Sequence, residues 1–224
     1  MKMIRKNKRN IVIAVAMLIL LAVGAVSAYF TSSDKADNIW TVGEVKIALE
    51  EPGWDPDNPP ENIAPNQSFV KDPQIRNTGS NDAYVFLKVR IPVANVITAD
   101  EATGERIAAA DRELFEYTMN NGWYQLENGT PETIDEKDYM TYIYAYGSRD
   151  ACTALPSGNV TAEALFDQVR FINVIEGQGL ENTELKMPIE AYGIQTTDLT
   201  DNDVSDPASV WKLLDAQTVK YAGK

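Results

Sequence analysis

The chain has 224 residues, with 33 acidic and 20 basic side chains and no histidine. Its formal net charge of −13 opposes binding to nucleic acids and to anionic lipid, because both present negative phosphates. The single cysteine, Cys152, excludes an intramolecular disulfide. Without histidine the chain lacks the usual zinc ligand and the usual base for a serine or cysteine nucleophile, so we predict that it is not an enzyme.

The N-terminus has the pattern of an export signal. Five basic residues among residues 2–9 precede an uncharged apolar run over residues 11–28, and Val26-Ser27-Ala28 matches the small-residue pattern that signal peptidase recognises. We predict a signal peptide over residues 1–28 with cleavage between Ala28 and Tyr29. The product would be secreted or held at the cell surface, and it would contact the membrane only through the uncleaved signal. The alternative is an uncleaved anchor, since 18 apolar residues lie at the lower limit for a spanning helix.

Beyond a short N-terminal segment, residues 29–43, alternating apolar and polar residues predict a β-sandwich domain over residues 44–224. Residues 45–49 and 83–93 each have one apolar face. We expect residues 69–76 to form a hairpin with 83–93, with Pro73 at an edge or bulge, because residues 77–82 are rich in turn formers. Further strands are predicted at 123–126, between two Asn-Gly turns, at 140–146 with an aromatic face, and at 185–191.

Helical patterns are few and short. Residues 161–169 have a capping threonine and helical apolar spacing, and residues 207–214 follow Asp206 as a cap, with Pro207 at the first helical position. The alanine-rich residues 98–112 predict either a helix or a mobile insertion. Together the patterns predict an all-β fold: an antiparallel two-sheet sandwich, jelly-roll-like, with a few short helices and an N-terminal signal helix before it.

Two acidic loops carry the oxygen ligands that calcium prefers. One contains Asp55 and Asp57, and the other contains Asp201, Asp203 and Asp206. Neither loop matches the helix-loop-helix calcium template, and the alternative is a solvated loop rich in turn formers. We predict no cofactor other than this calcium.

The export signal ending in Ala28-Tyr29-Phe30-Thr31, followed by Trp40-Thr41-Val42-Gly43-Glu44-Val45-Lys46-Ile47, resembles the TasA/camelysin family of secreted Gram-positive proteins processed by SipW-type signal peptidases. Residues 71–85, 165–167, 173–176 and 191–195 are similar to later blocks of that family. The resemblance implies a jelly-roll protein of the biofilm matrix that assembles into extracellular fibres. In that family the N-terminal strand of one subunit completes a sheet of the next, so the resemblance implies a donor strand anchored by Tyr29 and Phe30. The alternative for this segment is an ordinary disordered terminus.

The sequence therefore favours a secreted, self-associating structural protein whose partners are its own copies and, during export, signal peptidase. Two alternatives belong to other classes. One is a secreted metallo-endopeptidase of the camelysin type, against which the absence of histidine argues. The other is a carbohydrate-binding or adhesive module that uses some of the four scattered tryptophans.

Overall fold

The computed structural model describes residues 43–181, 183–199 and 204–222. The predicted signal peptide, its cleavage site, the donor residues Tyr29 and Phe30, and Asp201 and Asp203 lie outside these residues. The described part contains the strands β1 (Ile47–Glu50), β2 (Ser68–Val70), β3 (Gln74–Asn77), β4 (Ala83–Ala99), β5 (Arg106–Glu113), β6 (Phe115–Glu116), β7 (Trp123–Gln125), β8 (Thr130–Ile134), β9 (Lys137–Tyr146), β10 (Gln168–Phe171) and β11 (Ile189–Gln195), followed by the helix α1 (Pro207–Ala222).

The strands form a large antiparallel sheet and two small ones. The large sheet has the order β11-β4-β9-β7, with β5 also beside β4 and β8 also beside β9. The small sheets are β1-β3 and β2-β10-β6, and every strand pair is antiparallel. The predicted all-β antiparallel sandwich is confirmed.

The main core lies between the large sheet and the two small sheets. In β4 the odd-numbered residues from Ala83 to Ile91 are at most 3% exposed, as their alternation predicts. They share one cluster with Ile75 of β3, Phe115 of β6 and Phe171 of β10. Side chains from both layers therefore fill a single interior.

The other face of the large sheet is covered by α1. Phe86 of β4 belongs to a second apolar cluster with Val210 and Leu214 of the helix, and the ring centroids of Phe86 and Trp211 lie 5.4 Å apart. The predicted cap is present, since Asp206 Oδ1 accepts the Ser209 N–H at 2.9 Å. The helix predicted at 207–214 is confirmed and continues to Ala222. No helix among the described residues is long and apolar enough to cross a bilayer.

Three local predictions are wrong. The expected hairpin of residues 69–76 with 83–93 does not form, because β3 pairs with β1 and β4 pairs with β5, β9 and β11. The expected helix at 161–169 is instead irregular chain that leads into β10, and the N–H of Leu165 bonds to the carbonyl of Pro73 at 2.9 Å. Residues 98–112 form neither a helix nor a mobile insertion, since β4 runs on to Ala99 and β5 returns along it.

The predicted strand at 185–191 is displaced rather than absent. The strand β11 begins only at Ile189 and ends at Gln195. Leu185 and Met187 lie before it and pack against the main core as partly buried residues. The apolar alternation of Leu185 and Met187 therefore comes from contacts that an irregular segment makes with the core.

Candidate functional site

A groove of about 1130 Å³ opens beside the three-stranded sheet β2-β10-β6. Its floor consists of four apolar side chains: Phe115, Val169 and Phe171, which belong to the main core, and Phe69, which packs against that core. The groove is therefore an opening onto the protein interior.

The strand register explains this aromatic floor. Phe69 lies directly opposite Val169, and Phe115 lies opposite Phe171. Residues paired in this way project to the same face of the sheet, and the rings of Phe115 and Phe171 stand 5.7 Å apart. Arg170, one position away, projects to the opposite face and forms ion pairs with Glu101 and Glu116.

Two irregular segments form the walls of the groove. One is the proline-rich loop of residues 59–65, and the other consists of residues 174–181 and 183–188 between β10 and β11. From these walls Ile63, Leu180, Leu185 and Met187 pack against the core while remaining partly exposed. Half-buried apolar side chains around an apolar floor suit a ligand that presents apolar or aromatic side chains.

Hydrogen bonds hold the second wall in place. The side-chain amide of Gln178 accepts the N–H of Ile97 at 2.6 Å and donates to the carbonyl of Ile97 at 2.8 Å. The carboxylate of Glu181 accepts hydrogen bonds from the N–H groups of Gly177 and Gly179. Both glycines have φ in the left-handed region. The backbone N–H of Glu181 itself, followed by that of Gly177, is the main hydrogen-bond donor that holds the pKa of the Glu181 carboxyl below its ordinary value.

Charged residues line the mouth of the groove. Lys71 lies 4.8 Å from the centre of the Trp54 ring and 2.7 Å from the Glu51 carboxylate, so its charge is already balanced. The other charged side chains at this site are four glutamates and one lysine, namely Glu61, Glu176, Glu181, Glu184 and Lys186. The charged rim keeps the apolar floor accessible without presenting a continuous apolar surface.

The predicted calcium ligands that the structure describes form hydrogen bonds within their own turns. Asp55 accepts the Asp57 N–H at 3.0 Å and the Asn58 side-chain amide at 2.7 Å, and the Asn58 bond is the first cause that lowers the pKa of Asp55. Asp206 is occupied as the cap of α1. In the described ranges no three His, Cys, Asp or Glu side chains are grouped so as to hold a metal ion. Since Asp201 and Asp203 lie outside those ranges, the calcium site stays a prediction.

The described tryptophans and the cysteine have identifiable surroundings. Trp123 is 4% exposed and its indole N–H donates to the carbonyl of Glu163 at 3.1 Å. Trp211 packs on Phe86, while Trp54 alone of these three lies at the groove. Desolvation raises the pKa of the buried Cys152 thiol to about 12, so it stays protonated at neutral pH and is a poor nucleophile.

The sequence did not predict the groove, because its walls and floor come from segments that are distant in the chain. A weak signal was present in Leu185 and Met187, whose apolar alternation we assigned to a strand. The described residues define an antiparallel β-sandwich with an apolar groove that opens to its core. The chain matches no family model, no curated protein and no solved structure.

Proposed function

We propose that this chain is a secreted structural protein of a Gram-positive cell surface or biofilm matrix, and that its subunits assemble head to tail into fibres. In this proposal the groove accepts the N-terminal segment of a neighbouring subunit. The observation that carries the proposal is the groove itself, whose floor is the aromatic face of β2-β10-β6. An opening of about 1130 Å³ has room for several side chains of an inserted strand.

The occupant is the segment that signal cleavage would free. Fourteen residues, 29–42, separate the predicted cleavage site from the first described residue, Gly43. Fully extended they span roughly 46 Å, at about 3.3 Å per residue, which is long enough to reach a second molecule. The segment begins with Tyr29 and Phe30, and the groove floor offers three phenylalanines for such rings to pack against.

The geometry of this contact favours a polymer. A donor segment and an acceptor groove are different surfaces, so one subunit uses its donor on the next while its own groove stays available. Contacts of this heterologous kind do not close on themselves, and they generate filaments. While the signal peptide is attached, the end of the segment is held in the membrane, and insertion into a neighbour waits for cleavage.

The composition supports a structural role over the enzymatic alternative. A chain with 33 acidic and 20 basic residues repels its own copies, so its self-association needs a specific contact such as strand insertion. A zinc peptidase needs neutral imidazole ligands around an open coordination position, and this chain has no histidine.

The proposal is tested by removing the donor and the acceptor in separate variants of the secreted protein. Deleting residues 29–36 removes the donor, and Leu185→Glu places a charge in the groove wall. Met119→Glu is the matched control, because Met119 is an exposed apolar residue outside the groove. Electron microscopy should show fibres for the wild type and for Met119→Glu, and none for the other two variants. Their circular dichroism spectra should match that of the wild type.

A mixing experiment separates the two halves of the contact. The deletion variant keeps a functional groove and the Leu185→Glu variant keeps a functional donor, so an equimolar mixture should form heterodimers and no fibres. Either variant added in excess to wild-type protein should shorten its fibres by capping the ends. Fibres that persist in the deletion variant, or a wild-type protein that stays monomeric at every concentration, would refute the proposal.

A further inference from the structure

The strand β5 is an edge of the large sheet that carries a row of small residues. It pairs with β4 on one side, and no other described strand pairs with it. Residues 106–111 are all exposed, and alanines occupy positions 108–110 at the centre of the strand. A free edge of this length presents unpaired backbone N–H and C=O groups, to which another strand can add.

A bulge in β5 places two charged residues on the same face of the sheet. Between Val96 and Thr98 of β4 the register shifts, and β5 uses one residue more than β4 over that step. Side chains alternate between the faces of a regular strand, so residues five positions apart normally lie on opposite faces. The extra residue cancels this difference, and Arg106 and Asp111 lie on the same face.

The bulge also turns the backbone groups of these two residues in the same direction. The carbonyl of Glu105 and the N–H of Leu114 each bond back to the β4 side of the hairpin, at 2.8 Å. Because backbone groups alternate between the two sides of a strand, those of Arg106 and Asp111 point away from β4, toward the free edge.

We infer that β5 pairs antiparallel with β5 of a second copy of this chain, with Arg106 opposite Asp111 of that copy. The same register places Glu105 opposite Arg112 and Ile107 opposite Ala110 of the second copy. The two-fold symmetry repeats each pair, which gives four oppositely charged pairs around an alanine centre. Opposite charges across two strands stabilise their pairing, and like charges destabilise it.

The charges that this register uses are not neutralised by ion pairs within the subunit, although Asp111 Oδ1 accepts a hydrogen bond from the side-chain amide of Asn95 at 2.8 Å. None of Glu105, Arg106, Asp111 and Arg112 takes part in an ion pair among the described residues. Arg112 donates to the carbonyl of Ala108 at 3.4 Å, a long hydrogen bond that a strand partner would replace. A register shifted by one residue would set Arg106 against Arg112, so the charge pattern selects the register proposed.

This contact differs in kind from the groove contact and does not depend on it. The same surface is used on both copies, so the contact closes as a pair and cannot by itself grow into a filament. Combined with head-to-tail assembly, it would join two filaments side by side.

Cysteine cross-linking tests the register. The backbones of Ile107 and Ala110 point toward β4, so across the dimer these residues form a non-hydrogen-bonded pair with Cα atoms about 4.5 Å apart, within the range of a disulfide. Under mild oxidation a mixture of Ile107→Cys and Ala110→Cys chains should form disulfide dimers. Each variant alone should not, because the bulge leaves the two identical positions offset by about two regular residues, roughly 6.6 Å along the strands. Together with the separation between the strands this places their Cα atoms about 8 Å apart, beyond the range of a disulfide. Wild-type protein is the control for Cys152, which is buried.

Charge reversal in the same chains tests complementarity. Adding Arg106→Asp to the Ile107→Cys chain, or Asp111→Arg to the Ala110→Cys chain, sets like charges opposite each other and should lower the cross-linking rate several-fold. Using both reversed chains together restores opposite charges and should restore the rate. The cross-link should also form after deletion of residues 29–36. The inference is overturned if the mixed cysteines fail to cross-link, if single variants cross-link equally well, or if the doubly reversed mixture stays slow.

Discussion

Asn77 at the end of β3 is a fully buried polar residue whose side chain connects three parts of the chain. Its amide nitrogen donates to the carbonyls of Asn81 and Leu155 at 2.8 Å each, and its oxygen accepts the Gly79 N–H at 3.0 Å. Asn77→Ala removes all three hydrogen bonds. At about 1 kcal/mol net for each bond, we expect the variant to lose about 3 kcal/mol of unfolding free energy.

The assay is thermal or urea unfolding at neutral pH, followed by circular dichroism. For a chain of this size, 1 kcal/mol corresponds to about 2–4 °C in Tm, so Asn77→Ala should melt about 6–12 °C below the wild type. Asn58→Ala is the matched control, because Asn58 is exposed and its side-chain bond to Asp55 lies in a surface turn. A loss below about 1 kcal/mol, or equal losses in both variants, would refute the assignment of a structural role to the buried amide.

Asn77→Asp adds a pH dependence whose sign follows from the same geometry. A carboxylate cannot donate to the carbonyls of Asn81 and Leu155, so at neutral pH this variant should be less stable than Asn77→Ala. Burial among acceptors raises the folded-state pKa of the new carboxyl. Its protonated form is therefore favoured in the folded protein, and the deficit relative to wild type should shrink as the pH falls.

Three further predictions concern export, acid stability and the thiol. N-terminal sequencing of the secreted protein should find Tyr29, or a residue within two of it, as the first residue. Ala28→Lys should block release because the peptidase accepts only small side chains there. A hydrogen bond from Arg90, at 2.8 Å, is the main cause that lowers the pKa of Glu132. Its stabilising effect is therefore lost as the pH falls below the ordinary glutamate value of 4.5, and Glu132→Gln should flatten the acid side of the stability profile. Cys152 should react with a thiol reagent at the rate of global unfolding, and fast labelling of the native protein would contradict its burial.

The sequence predicts strands well where one face of a strand meets the core along its whole length. The odd-numbered residues of β4 from Ala83 to Ile91 face the interior without interruption, and the alternation of this part of the strand was correctly interpreted. It predicts strand partners poorly. The shortest connection would make β3 and β4 a hairpin, but in the structure β3 pairs with β1. Backbone edges carry little sequence information, because every residue except proline offers the same donor and acceptor.

Tertiary contacts override local preference in the two segments with false helical signals. Leu165 and Val169 have helical spacing, yet neither lies in a helix. The N–H of Leu165 bonds to the carbonyl of Pro73, Val169 pairs with Phe69 in a sheet, and both side chains are buried. The alanines of β5 favour a helix, but this segment pairs along the extension of β4. The groove could not be predicted from the sequence for a related reason, since its shape depends on how two irregular segments pack beside a sheet.

The order in which parts of the sandwich become available has a consequence for export. The central strand β4 is complete only when β11 lies beside it, and Arg90 and Glu190, which join the two strands by an ion pair, are 100 residues apart. A chain that crosses the membrane from its N-terminus exposes β4 long before its C-terminal partner arrives, and such non-local pairing makes folding slow. The walls of the groove, residues 59–65 on one side and residues 174–181 and 183–188 on the other, are likewise far apart in the chain. Under the proposed export and head-to-tail assembly, a subunit still in transit would therefore have no groove to offer, and polymer growth would be restricted to molecules that had already folded outside the cell.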